Sequence, residues 1–220
     1  GDHADLENPL LTVLSIFITE YSTAKLLISW GLNPNGGMIG HSLGEYTAAC
    51  ISGVLSLEDA LKIVQLRGNI FSRLPEGRMV SIPLSAAEAQ KRLSDGLSLA
   101  VVNTPESCVI SGPPEAINKL IGELEEESIE SHLLHTRVGL HSSMLDPFLA
   151  EFHEAVSALR LSPPHIPFIS NLTGGWITDN DAMSPDYWTN QLRRTVFFTD
   201  GMSHLLKNEN NILLEVGPST

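Results

Sequence analysis

The heptapeptide GHSLGEY spans residues 40–46 and places one serine, Ser42, between Gly40 and Gly44. This is the G-x-S-x-G spacing of a nucleophile elbow, where small residues permit a strained turn that leaves the serine hydroxyl exposed. The two apolar residues before the heptapeptide, Met38 and Ile39, are typical of the end of a buried strand. Residues 43–50 predict a helix whose first N–H groups point toward the serine. The pattern predicts a serine enzyme, with an ordinary glycine turn as the alternative.

The composition limits the classes of function that are open to the chain. With 42% hydrophobic residues, the 220-residue chain can bury a core of one or two domains. Thirteen Lys and Arg residues against 26 Asp and Glu give a net charge of −13. Nucleic acid is not an expected partner, because phosphate binding needs a basic surface. Cys50 and Cys108 show neither metal-ligand spacing nor a disulfide framework, so we expect small core residues in a reduced, cytoplasmic protein without a metal site.

One apolar run, residues 10–18, is the only candidate for a membrane segment. Its helical pattern continues through Glu20 and Lys25 without reaching transmembrane length. Pro9 predicts the start of this helix and Gly31 its end. We therefore expect a buried helix of a soluble protein and no membrane partner. No basic segment precedes the run, so a signal peptide is not expected.

Downstream of residue 75 the pattern changes to short alternating elements. The predicted order is strand 79–84, helix 86–94, strands 97–103 and 108–111, helix 114–128 and strand 129–136. This β-α-β-β-α-β order predicts a ferredoxin-like unit inserted in a larger α/β body. The body continues with helix 144–159, strand 167–170, helices 187–192 and 199–206, and strand 212–216.

Two further residues are candidates for function. Arg67 shares a face of the predicted helix 57–74 with apolar residues at spacings of three, four and seven. An arginine there keeps its charge and needs an anionic partner. The pattern alone favours a buried Asp or Glu carboxylate of the protein. The alternative is a substrate carboxylate held by two hydrogen bonds. His141 stands at a loop-to-helix entry, where it is either a general base or one of eight ordinary histidines.

Several motifs together resemble the malonyl-CoA:acyl carrier protein transacylases, most closely the acyltransferase domains of modular type I polyketide synthases. They are GHSLGE at 40–45, LRG at 66–68, HSSMLDP at 141–147, SNLTG at 170–174, YW at 187–188, QLR at 191–193 and LEVGP at 214–218. The resemblance covers essentially the whole chain. It implies an α/β-hydrolase-like large subdomain with a parallel sheet, residues 1–75 and 138–220, and a ferredoxin-like small subdomain, residues 76–137.

The resemblance also implies a mechanism. Ser42 would be the nucleophile, His141 its base in a Ser-His dyad oriented by a backbone carbonyl, and the Leu43 N–H an oxyanion donor. Arg67 would hold the carboxylate of a malonyl group brought by coenzyme A. The acceptor would be the phosphopantetheine thiol of an acyl carrier protein beside neighbouring polyketide synthase domains, with no bound cofactor.

Some features depart from the family pattern. Family members begin with a strand and a Gly-Gln-Gly segment whose glutamine is the second oxyanion donor, and this chain starts after them. Malonyl-preferring domains carry an aromatic residue before the catalytic histidine and methylmalonyl-preferring ones a serine, whereas Leu140 stands here. Leu43 favours malonyl, so the extender unit stays open. His41 is expected to line the pocket.

Two other classes of function remain open at this point. A serine hydrolase such as a thioesterase would need a late acid and histidine, for which Asp186 and His204 are the candidates. A non-catalytic fragment or docking domain is the second alternative. For carrier protein docking, the candidate cations are Arg193, Arg194 and Lys207. The alternatives are that all three are solvated surface charges, or that Arg193 forms an internal ion pair.

Overall fold

The computed structural model describes residues 8–94, 96–208 and 212–218. Helix α1 (Pro9–Ser29) begins where the Asn8 side chain accepts a hydrogen bond from the Leu10 N–H at 3.0 Å. It ends before Gly31, whose φ of +89° is the left-handed conformation that favours glycine. The predicted start and end of this helix agree with the structure.

The burial of α1 differs from the prediction. Only Val13 and Phe17 are buried among its residues, and by length and composition alone the helix could cross a membrane. One side packs on helix α3 (Leu57–Arg73), where a side chain at Gly68 would bring its Cβ within 2.7 Å of the Leu10 Cα. Apolar residues on the other sides stay exposed, because the described elements pack against one face only.

Helix α2 (Gly44–Ile51) follows the serine, and α3 begins where Ser56 accepts a hydrogen bond from the Asp59 N–H at 3.0 Å. The following elements are β1 (Arg78–Ile82), α4 (Ala86–Lys91), β2 (Ser98–Thr104), β3 (Ser107–Gly112), α5 (Pro114–Glu126) and β4 (His132–Leu133). They lie in the predicted order, although β4 is far shorter than the predicted strand 129–136.

The strands form one sheet of order β4-β1-β3-β2-β5. The first four pair antiparallel in the ferredoxin-like arrangement, so this part of the fold prediction is confirmed. The fifth strand, β5 (Val196–Phe197), comes from a later part of the chain and pairs parallel with β2. One face of the sheet packs on α4 and α5, and the other faces Leu140 and Phe198.

The larger body is mostly helical in the described residues. A 3-10 helix (Ser143–Phe148) leads into α6 (Leu149–Ser157), and α7 (Asp179–Ala182), α8 (Pro185–Arg193) and α9 (Phe198–Leu205) follow. Its main core lies between α1, α2, α3, α6 and α8.

The parallel sheet expected in this body is represented, among the described residues, by one parallel bridge between Met38 and Phe168 and an antiparallel bridge between Ile169 and Trp176. The predicted strand at residues 212–216 is wrong. These residues have no strand partner in the described part of the chain, and Ile212 is 94% exposed. An apolar run favours a strand, but a strand also needs an edge with which to pair.

Candidate active site

The turn that carries Ser42 has the geometry of a nucleophile elbow. Ser42 has a φ of +53°, which is uncommon for a residue with a side chain. A Cβ on Gly40 would lie 2.0 Å from the carbonyl carbon of Gly44, so the turn closes only with glycine at residue 40. Helix α2 starts directly after the turn, and Leu43 is its N-cap residue. The sequence motif thus creates a strained serine at a helix N-terminus.

Ser42 and His141 form a hydrogen-bonded pair. The Ser42 Oγ lies 2.7 Å from the His141 Nε2, and the His141 Nδ1 lies 3.0 Å from the Arg194 backbone oxygen. Because a carbonyl can only accept, Nδ1 carries the proton and Nε2 is left to accept one from the serine. His141 is 2% exposed and has a φ of +52°. The pair has the geometry of a nucleophile and its general base.

Arg67 lies beside the nucleophile. Its Nη2 donates to the Ser42 Oγ at 2.6 Å, and its guanidinium carbon lies 5.1 Å from the Tyr46 ring centre and 5.3 Å from that of Phe71. The side chain is 2% exposed. Its Nε and Nη1 donate to no partner in the described residues, and no ion pair with a carboxylate is present there. Arg67 is thus a buried cation with two unpaired donors beside the Ser42 hydroxyl, which an anionic ligand could satisfy.

The surroundings keep His141 neutral. Burial is the main cause that lowers the pKa of His141, and the nearby charges of Arg67 and His41 lower it further, to about 3. A neutral imidazole can accept the serine proton at any physiological pH.

This pKa predicts how stability depends on pH. Above the ordinary pKa of 6.5, the histidine is neutral in the folded and the unfolded state and adds no pH dependence to the stability. Below 6.5 only the unfolded chain gains the proton, so the folded state loses stability until the pH reaches about 3. As the pH is lowered from 7 to 5, we expect the free energy of unfolding of His141→Asn to rise by roughly 2 kcal/mol relative to that of the native chain, at about 1.4 kcal/mol per pH unit. Asparagine tolerates the positive φ.

Urea unfolding of both proteins at the two pH values measures this difference. Other titrating groups, including the buried Glu45, are common to both proteins and cancel. A difference that does not change with pH would show that His141 titrates normally in the folded protein.

Two polar residues that the sequence reasoning did not single out hold the backbone of Ser42. The Ser42 N–H donates to the Asn171 Oδ1 at 2.8 Å, and the Gln191 Nε2 donates to the Ser42 carbonyl at 2.8 Å. Both side chains are buried. They lie in the SNLTG and QLR motifs, and their membership of these motifs is the signal in the sequence that could have drawn attention to them.

A third missed residue supports His41. The His41 Nε2 lies 3.0 Å from the Asn103 Oδ1 on β2, and its ring centre lies 5.1 Å from that of Phe198. Leu140 is half-buried and packs against both the main core and the inner face of the small sheet. The two residues predicted to shape the pocket therefore lie where the small sheet meets the nucleophile.

The acid and histidine of the hydrolase alternative do not meet. An Asp186 carboxylate oxygen lies 3.0 Å from the His153 Nε2, whereas the His204 Nδ1 lies 3.1 Å from the Asp200 backbone oxygen. The described residues contain no group of three His, Cys, Asp or Glu side chains that could hold a metal ion.

The profile of the acyl transferase domain family matches residues 7–219, and the chain belongs to that family. It is an acyltransferase domain of the polyketide synthase type, as its relatives and solved structures show. A phenolphthiocerol/phthiocerol polyketide synthase protein of Mycobacterium tuberculosis is 36% identical over 218 residues, which cover 99% of this chain and 15% of that protein. The spectinabilin polyketide synthase system protein NorB of Streptomyces orinoci is 37% identical over 97% of this chain and 10% of its own length.

Solved structures show the same relationship. The acyltransferase domain from the second module of the salinomycin polyketide synthase superposes with a TM-score of 0.94 at 34% identity, over 100% of this chain and 52% of that one. For the acyl transferase domain of ZmaA the TM-score is 0.92 at 40% identity, over 98% and 50%. The chain thus spans about half the length of these solved chains and a smaller share of the synthases. The family and the α/β fold predicted from the motifs are confirmed.

Proposed function

We propose that this chain transfers a malonyl-type extender unit from coenzyme A, through an ester on Ser42, to the phosphopantetheine thiol of an acyl carrier protein. The observation that supports the acyl group most directly is the buried Arg67, with two unpaired nitrogen donors next to the Ser42 hydroxyl. A guanidinium fork matches a carboxylate in geometry and charge, and malonyl-CoA carries a carboxylate close to its thioester.

In the first half-reaction His141 takes the proton of Ser42 while the serine oxygen attacks the thioester carbonyl. The N–H groups of Gly44, Glu45 and Tyr46 donate to carbonyls three residues earlier, which leaves the Leu43 N–H for the developing oxyanion. The carbon–sulfur bond then breaks, and the proton passes from His141 to the sulfur of coenzyme A. The products are free coenzyme A and malonyl-Ser42.

The second half-reaction reverses these roles. His141 takes the proton of the pantetheine thiol, the sulfur attacks the ester carbonyl, and the proton returns to the Ser42 oxygen as the ester bond breaks. No electron or proton is left over and no cofactor takes part. We place the reaction in the cytoplasm, among the other domains of a polyketide synthase.

Mass spectrometry of both proteins in a single turnover tests this function. The chain is mixed with one equivalent of malonyl-CoA, and carrier protein bearing phosphopantetheine is added afterwards. We expect one malonyl group on the chain first and on the carrier protein later. Malonate released into water without reaching the carrier protein would show a hydrolase, and a chain that never gains the group would show a non-catalytic domain.

Leu140 and His41 are our candidates for shaping the acyl pocket, since they lie between the nucleophile and the small sheet. We propose that residues 1–75 with 138–220 form one subdomain and residues 76–137 the other. The core that the first four strands share with α4 and α5 supports this division, and β5 joins the two.

The charge of the chain creates a problem for docking an acidic carrier protein, which its net charge of −13 should repel. Arg193 pairs with Asp146, so its charge is compensated. Arg194 is exposed, and its Nε donates to the neutral Asn190 Oδ1 at 2.7 Å. Arg194, whose backbone oxygen lies 3.0 Å from the His141 Nδ1, is thus our candidate for the docking contact, and Lys207 is a second candidate.

We expect Arg194→Glu to slow transfer from malonyl-Ser42 to the carrier protein by roughly threefold to tenfold, while acylation by malonyl-CoA stays within about twofold. The substitution keeps the backbone carbonyl that orients His141. Single-turnover rates of the two half-reactions measure the effect, with the exposed Arg160→Glu as the control of equal charge change. Equal slowing of both half-reactions would show damage to the site, and unchanged rates would place docking elsewhere.

A further inference from the structure

Glu45 is a carboxylate that the proposed mechanism does not use, although it stands three residues after the nucleophile. Its side chain is completely buried on α2. Burying an ionisable group costs free energy unless hydrogen bonds compensate for the lost water. A buried carboxylate next to a nucleophile is therefore a candidate for a role in the site.

The Glu45 carboxylate accepts hydrogen bonds from two other segments. Its Oε2 accepts from the Asn171 N–H at 3.2 Å and from the Gln191 Nε2 at 3.1 Å, and its Oε1 accepts from the Tyr187 hydroxyl. The Tyr187 oxygen also lies 2.8 Å from the Ser170 Oγ. All three groups facing Glu45 are donors, so the site is matched to an ionised carboxylate that only accepts.

The partners of Glu45 are the same residues that hold the nucleophile. Asn171 accepts from the Ser42 N–H and donates to the Gly40 carbonyl at 2.7 Å, while Gln191 donates to the Ser42 carbonyl. The peptide groups on both sides of Ser42 are thus fixed by side chains that Glu45 fixes in turn. This matters because the positive φ of Ser42 is an unfavourable conformation that persists only when its surroundings enforce it.

The same carboxylate is connected to the base. Tyr187 and Gln191 lie on α8, and the residue that ends this helix is Arg194. The Arg194 carbonyl is the acceptor for the His141 Nδ1–H. Fixing α8 against Glu45 therefore fixes the position of the group that orients His141.

We propose that Glu45 is a positioning residue that holds Ser42 and His141 in register, through Asn171 and Gln191 on the serine side and through helix α8 on the histidine side. The proposal rests on the proposed function only in requiring that Ser42 and His141 react as a pair.

The ionisation of Glu45 gives this role a pH dependence. Burial raises the pKa of the Glu45 carboxyl to about 7, against the hydrogen bonds from Tyr187, Asn171 and Gln191 and the charge of Arg67. The titratable or charged groups around it are Tyr187 on α8, Tyr46 on its own helix and Arg67 on α3. Below this pH the carboxyl carries a proton and has one acceptor position fewer for its three donors.

The test compares Glu45→Gln and Tyr187→Phe with the native chain. A fluorophosphonate, which reacts with an activated serine whatever the acyl donor, reports the competence of the dyad. Malonyl transfer to the carrier protein gives kcat and KM. For Glu45→Gln we expect labelling and kcat to fall roughly tenfold to a hundredfold with KM for malonyl-CoA nearly unchanged, because misplacement of reacting groups by about 1 Å costs about this much. Tyr187→Phe removes one donor and should give a smaller fall of the same kind.

Glu20→Gln is the matched control. Glu20 is a second carboxylate near the elbow, on α1, and it accepts from the Thr47 hydroxyl rather than from the groups that hold Ser42. We expect native rates of labelling and transfer for this variant. An equal loss in Glu20→Gln and Glu45→Gln would overturn the proposal, because negative charge near Arg67 would then explain both.

Three other results would also overturn it. The first is labelling of Glu45→Gln at the native rate. The second is a loss of labelling in the Glu45 and Tyr187 variants that follows the unfolded fraction measured by thermal unfolding. The third is a fall in labelling below pH 7 that is the same in the native chain and in Glu45→Gln. A native chain that labels with fluorophosphonate and takes no malonyl group would disprove the proposed function alone. The Glu45 comparison would still be decided by the labelling rates.

Discussion

We expect Ser42→Ala to abolish the malonyl adduct on the chain, while the thermal unfolding temperature stays near that of the native protein. The hydroxyl that is removed lies within hydrogen-bond distance of both the His141 Nε2 and the Arg67 Nη2, as expected for the proposed nucleophile. Alanine and serine meet the same steric cost at a φ of +53°, so the turn gains no additional strain.

Intact mass after incubation with malonyl-CoA measures this result. Ser203→Ala is the control, since the Ser203 hydroxyl donates to the Thr199 carbonyl within α9 and its removal should leave labelling unchanged. A malonyl adduct that persists in Ser42→Ala would disprove the assignment of the nucleophile.

Arg67→Ala is expected to lower kcat/KM for malonyl-CoA by roughly a hundredfold to ten-thousandfold. Two charge-assisted hydrogen bonds to a carboxylate contribute about 1.5–3 kcal/mol each, and about 1.4 kcal/mol corresponds to a factor of ten. Transfer of acetyl, which has no carboxylate, should fall far less, by the loss of the Nη2 contact to Ser42 alone. The ratio of malonyl to acetyl transfer is therefore the quantity to measure.

Arg73→Ala provides the comparison on the same helix. Arg73 is partly exposed and pairs with Glu151 at 2.8 Å, a surface ion pair that contributes little. We expect native selectivity for this variant. If Arg67→Ala lowered malonyl and acetyl transfer by the same factor, Arg67 would have a structural role, and recognition of the substrate carboxylate would need another residue.

Local signals were sufficient for much of the fold. Pro9 marked the start of the first helix, because its effect on the first helical turn depends only on neighbouring residues. The ferredoxin-like sheet followed from the order of its elements. The pair Ser42 and His141 and the neighbouring Arg67 were found through motifs, and their close approach agrees with what the motifs implied.

Other features depended on contacts distant in sequence. Asn171 and Gln191 hold Ser42 from positions 129 and 149 residues away, and no local pattern distinguishes such amides from surface ones. The short strand β5 could not be recognised from two residues, and its pairing with β2 is a property of the folded chain. Residues 212–216 were predicted as a strand from their apolar composition. They form none among the described residues, because apolar composition alone does not supply a strand partner.

The pairing of β5 with β2 has a consequence for engineering. Arg194, whose carbonyl orients His141, comes two residues before β5, and Asn103, which contacts His41, lies on β2. The contacts that hold His41 and His141 thus come from residues on or next to one strand pair, which joins β2 of the small sheet to β5 of the body. A chimera that exchanges only residues 76–137 between related synthases would pair a β2 from one protein with a β5 from another. A graft that carries residues 194–198 together with strand β2 would keep the native pairing of β5 with β2 and the contacts that it gives to both histidines.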